Sequence, residues 1–131
     1  MRNMYGTAIK TYGQVRYDSA AEYGSPADLL NLLFTGLTDA LIDAQRFLSQ
    51  KKYFEKGLAV SKSQKILIAL RNTLDFDVGG ELARNLDDLY AYCLTRLAEA
   101  HTHNDPSAFR EVHGLLSELR DAWLQASRSA V

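Results

Sequence analysis

The chain has 131 residues, 47% hydrophobic and 24% charged, which is ordinary for one soluble globular domain large enough to bury a core. Its formal net charge of −1 offers no bulk attraction to nucleic acid or to an anionic membrane, which argues against both as partners. Cys93 is the only cysteine, so an internal disulfide and a cysteine-based zinc site are excluded.

The N-terminus lacks a basic-then-apolar signal pattern, and no run approaches the ~18 apolar residues of a membrane span. The expectation is a soluble, cytoplasmic protein, without membrane insertion. The first element is MYGTAIKTYGQVRY, residues 4–17, where Tyr5, Ile9, Tyr12 and Val15 follow helical spacing. Gly6 and Gly13 interrupt it, each costing a helix roughly 1 kcal/mol relative to alanine. Residues 1–24 therefore read as a weak N-terminal cap segment, short and helical, ahead of a helical domain over 25–127.

That domain opens at SPADLLNLLF, where Ser25 caps, Pro26 takes the first helical position and Asp28 completes a spacing like a capping box. Apolar residues then alternate three and four apart through Leu30, Leu33, Leu37, Leu41, Ala44 and Leu48, the seam of a bundle helix to about residue 50. KKYF, residues 51–54, reads as a connection, followed by a seam of Val60, Ser63, Leu67, Leu70 and Leu74. DFDVGG, residues 75–80, breaks the pattern with aspartates and paired glycines. A third seam runs Leu82, Leu86, Leu89/Tyr90, Cys93, Leu97, Ala100. Asp105 and Pro106 start the fourth, of Phe109, Val112, Leu116, Leu119 and Trp123, which ends near Ser127. Four helices of ~20 residues, each ~30 Å long and joined by short loops, predict an all-α fold. Its architecture is an antiparallel up-down four-helix bundle in a single domain over 1–131.

Some apolar residues miss these seams. At roughly 100° per residue, Leu32 and Ile42 point about 140° away from the first seam. Ile68 lies well off the second, and Tyr92 faces nearly opposite Tyr90. The fourth helix is clean. Scattered surface hydrophobes are normal. Leftovers on three of four helices nevertheless describe a second apolar face, to be covered by the N-terminal segment or by a partner helix.

Chemistry is poorly supported. His101 and His103 form HxH, which on a helix sets the side chains roughly 200° apart and fails as a chelating pair, so no metal is expected. Gly79 and Gly80 lie at a helix start without a phosphate-loop pattern and read as a turn. The DFD aspartates lack the further oxygens that calcium needs. Arg96 and His101 have the R-x4-H spacing of helical ribonucleases of the HEPN class, in which histidine moves protons and arginine steadies phosphate charge. The residue after the arginine is Leu97 rather than a polar one, and no basic surface surrounds the pair. No nucleophile–base pair stands out, so the chain is expected not to be an enzyme and to use no cofactor.

Taken in order, YGQV around Tyr12, SPADLLNLLFTG, SKSQKILIALRNTLDF, GGELARNLDDLYAYCLTRLAEA and NDPSAFREVHGLLSELRDAW resemble the flagellar secretion chaperones, from about Met4 to Ala126. There are departures: after Leu33 come Phe34, Thr35 and Gly36 where the family commonly has an aromatic, an acidic residue and glycine. Lys62–Ser63 replaces a frequent lysine–alanine, and His101 replaces a usual asparagine. The resemblance implies an antiparallel four-helix bundle that binds the disordered C-terminal region of flagellin. It would prevent premature polymerisation and deliver its client to a component of the flagellar type III export apparatus. It further implies that the client wraps the bundle as short helices near the N-terminal tyrosine segment.

On that basis the expected partner-binding residues are Ile9, Tyr12, Leu32, Phe34, Ile42, Leu67, Ile68, Leu74, Tyr90 and Tyr92, and Thr35 and Ser63 are expected to alter local contacts with the partner. Two alternatives stand beside it. One is a HEPN-like helical ribonuclease using Arg96 and His101; the other is a helical subunit that forms a weak homodimer through its leftover apolar face.

Overall fold

Helix α1, Pro26–Ser49, begins where the sequence places its cap: Ser25 is extended, and its hydroxyl oxygen accepts the Asp28 backbone N–H at 3.0 Å. Such a cap is worth ~1 kcal/mol, and the Asp28 carboxylate adds a favourable charge at the positive end of the helix. The computed structural model describes residues 25–129. Three further helices follow, α2 at Tyr53–Asn72, α3 at Phe76–His103 and α4 at Pro106–Ser129, and the described residues contain no strand. The expected N-terminal helical segment falls outside the described residues.

The first connection is shorter than expected, because Tyr53 and Phe54 already belong to α2. The turn is made one residue earlier, by Lys51 in the left-handed region at φ 58°. Its N–H reaches Leu48 O at 3.0 Å, and that of Lys52 reaches Phe47 O at 2.9 Å. This is the Schellman closure of a helix, usually built on glycine, here on lysine. Asn104 closes α3 in the same way, at φ 50°, with the Asp105 N–H on Ala100 O at 3.0 Å.

DFDVGG is a kinked helix start rather than a plain break. Asp75 accepts the N–H groups of Asp77 at 3.0 Å and Val78 at 3.1 Å, and a helical turn forms at once. Gly80, at φ 52° and ψ −124°, then bends the chain before the long part of α3. Only glycine adopts that backbone without a Cβ penalty. Asp105 starts α4 as expected, accepting both the N–H and the hydroxyl of Ser107, at 2.9 and 2.7 Å.

The helices pack around a ring: α1 against α2 and α4, and α3 against the same two. Gly36 on α1 faces Ile66 on α2, and a Cβ at Gly36 would meet the Ile66 methyl at 3.4 Å. Lys56 near the start of α2 meets the end of α3, while Arg71 near the end of α2 meets Asp87 closer to its start. Helices α2 and α3 therefore run in opposite directions. The seams meet as read: Leu37, Leu41, Leu67, Leu70, Leu97, Phe109, Val112 and Leu116 are fully buried. Each such leucine or phenylalanine contributes roughly 1.5–3 kcal/mol by leaving water.

Candidate partner-binding surface

Four of the expected partner residues are exposed on the bundle: Leu32 at 71%, Ile42 and Ile68 at 49%, and Tyr92 at 46%. Each leans toward a different flank. Leu32 lies one turn from Gly36, on the side of α1 that meets α2; Ile42 lies one turn from Thr38, on the side that meets Arg120 of α4. Ile68 is three residues from Arg71, which pairs with Asp87 on α3 at 2.7 Å. Tyr92 donates its hydroxyl to Glu111 on α4 at 2.5 Å. No straight helix laid in one groove touches all four; a partner that covers them has to run around the bundle.

Phe34, Leu67 and Tyr90 are interior residues, and Leu74 is half-buried. Leu67 is wholly enclosed by the other helices, so a partner reaches it only by opening the core. Phe34, Leu74 and Tyr90 instead line an apolar pocket at the end of the bundle where α1 begins, with Leu86 and Trp123 among its other walls. The indole N–H of Trp123 is buried there and has no acceptor among the described residues. Ile9 and Tyr12 fall outside the described residues. Thr35 is exposed, whereas Ser63 is buried and its hydroxyl donates to Ala59 O at 2.9 Å, which removes it from partner contact.

Exposed apolar groups that the sequence reading missed are Tyr53, Phe54 and Leu58 on α2 and Phe76 and Val78 on α3. A signal existed for two of them. Leu58 lies nine residues before Leu67, half a turn away from the inward face, and Phe54 is one turn further back. Reading KKYF as a connection hid that register.

The charged groups are arranged for structure. Arg96 donates to Glu111 at 2.7 Å and stands 3.7 Å from Glu99. These bonds hold the Glu111 carboxyl below its usual range, the Arg96 hydrogen bond leading and that of Tyr92 second. His101 lies on the other side of α3, its carbonyl accepting from Lys56 and its ring beside Gly57. Five residues along a helix turn roughly 140°, so Arg96 and His101 diverge rather than share a phosphate site. Burial pushes the Cys93 thiol up to about 12, which removes its thiolate at neutral pH.

No helix among the described residues is long and apolar enough to cross a membrane. Comparison with known proteins gives a consistent result. The family model described as flagellar protein FliS matches residues 8–130. The flagellar secretion chaperone FliS of Salmonella typhimurium is 43% identical over 125 residues, covering 95% of this chain and 93% of that protein. FliSB of Pseudomonas aeruginosa is 40% identical over 88% of this chain and 92% of its own. FliS of Bacillus subtilis is 30% identical over 80% and 77%. With the family model matching residues 8–130 and a relative 43% identical over 95% of the chain, this all-α four-helix protein belongs to the FliS family of flagellar proteins.

Proposed function

We propose that the protein is an export chaperone for flagellin: it binds the disordered C-terminal region of the monomer in the bacterial cytosol, prevents premature polymerisation and passes it to the type III export apparatus. The relatives' description as secretion chaperones supports this reading. The observation that carries it is the distribution of Leu32, Ile42, Ile68 and Tyr92 over separate flanks of one bundle. A segment that folds as it binds can follow such a path, burying a large area at moderate affinity because it loses chain entropy on ordering. Moderate affinity suits a chaperone that must release its client, and release of this kind needs no chemistry at the site.

The N-terminal residues Ile9 and Tyr12 are included in the proposed surface because of the resemblance to the secretion chaperones; on the bundle, Phe34, Leu74 and Tyr90 supply an apolar pocket. The deciding experiment mixes the protein with monomeric flagellin and with flagellin truncated at its C-terminus. A stable complex with the first and none with the second is expected. Absence of a complex, or binding indifferent to truncation, defeats the proposal. Tyr12→Ala is expected to weaken the complex while leaving thermal unfolding nearly unchanged.

A further inference from the structure

Charge is distributed unevenly along the bundle. Residues 51–72 carry Lys51, Lys52, Lys56, Lys62, Lys65 and Arg71 against Glu55 alone, a net of +5 in a chain of net −1, so the rest carries −6. Lys56 is used internally and Arg71 is paired with Asp87. Lys51, Lys52, Lys62 and Lys65 are exposed, and none has a carboxylate partner among the described residues.

These four lysines bracket the most exposed apolar pair on α2. Phe54, 74% exposed, and Leu58, 58% exposed, stand one turn apart on the outward side of the helix. Lys51 and Lys52 precede them, Lys62 lies one turn beyond Leu58, and Lys65 lies almost one turn beyond that. The order along ~20 Å of helix is cation, apolar pair, cation. Such a line fits an amphipathic helix with two apolar anchors one turn apart and carboxylates on either side. A bilayer fits it less well, because membrane affinity scales with buried apolar area and this pair supplies little.

We propose that the outer face of the first half of α2 is a second docking site, for an acidic amphipathic helix of a partner protein, separate from the surface assigned to flagellin. Its cationic ends steer the partner's carboxylates, while Phe54 and Leu58 take the apolar anchors. The client can then remain on the bundle while the chaperone is held at this face by something else.

The probe is an alanine-based peptide of about 20 residues with two leucines one turn apart and glutamates flanking them, titrated by fluorescence anisotropy against a copy with lysine for glutamate. The acidic peptide should bind about tenfold or more tightly than the basic one, and less tightly as salt rises. Phe54→Ser with Leu58→Ser should weaken it about tenfold without shifting the thermal midpoint, since both side chains are exposed. Lys62→Glu with Lys65→Glu should reverse the preference between the peptides. Flagellin binding should be unaffected by the Phe54/Leu58 variant. Equal affinity for the two peptides, or no loss in that variant, overturns the proposal. So does capture by phosphatidylserine vesicles without peptide binding, which would make the face a membrane contact. Loss of flagellin binding in the same variant would assign the face to the client instead. The peptide titration contains no flagellin, so its outcome is independent of the chaperone reading.

Discussion

Lys56, at the end of the first turn of α2, reaches across to the last turn of α3: its ammonium donates to the carbonyl oxygen of His101 at 3.0 Å and to the side-chain oxygen of Asn104. The group is buried, and burial holds its pKa below the usual lysine range. The geometry accounts for its place there. A cation at a helix C-terminus meets the negative end of the dipole and satisfies a carbonyl that the helix leaves open. Lys56→Ala should therefore lower the stability of the bundle by roughly 2 kcal/mol, the cost of stranding those acceptors. An unchanged urea midpoint would show that water replaces the lysine without loss.

The neighbouring imidazole makes stability depend on pH. Burial, and then the charge of Lys56, hold His101 below the ordinary histidine range. In the unfolded chain His101 takes its proton near pH 6.5, and in the folded protein only at lower pH. Between those values the unfolded state binds more protons, so stability is full above about pH 6.5 and declines as pH falls toward the folded pKa. His101→Asn should flatten this part of the profile. Urea midpoints of the two proteins at about pH 7.5 and 5.5 provide the comparison, and parallel declines would clear His101 of responsibility.

Two turns store backbone strain differently. Lys51 occupies the left-handed region that disfavours a Cβ, while Gly80 uses a backbone that only glycine adopts freely. Lys51→Gly should stabilise the protein by about 1 kcal/mol, offset in part by the freer unfolded chain. Gly80→Ala should destabilise it by roughly 1–3 kcal/mol although nothing lies within 4 Å of the added methyl. Thermal midpoints moving in opposite directions are the expected result; a neutral Gly80→Ala would remove the strain argument.

Core and surface are separable by mutation. Leu32→Ser and Ile68→Ser change exposed positions and should leave stability within about 0.5 kcal/mol while weakening the flagellin complex. Leu67→Ala removes a fully buried side chain and should cost roughly 2–5 kcal/mol. Calorimetric unfolding beside a flagellin pull-down reads both effects. Loss of stability in the Leu32 or Ile68 variants, with binding intact, would return those residues to an ordinary structural role.

Helix starts and inward seams were legible in the amino-acid order because they are local. The bond from the Asp28 N–H to Ser25 spans three residues, and the spacing that sets Leu37 behind Leu41 spans four, about one turn. The outward direction of Leu32, Ile42, Ile68 and Tyr92 followed from the same arithmetic, since a residue opposite the seam faces water whatever the neighbours are. Residues between those extremes depended on the packing partners. Phe34 and Leu74 became walls of a pocket because α1, the residues just after α2, α3 and α4 meet around them. The partner of Lys56 lies 45 residues away, and no local pattern marks it. Sequence by itself determined the body of each helix and which stripe of it turns inward, through spacings of three and four residues, though not the helical starts at Tyr53 and Phe76. Tertiary structure alone decided which intermediate positions are covered and how the exposed ones are shared among the flanks, because burial at a helix edge is set by the approach of its neighbour.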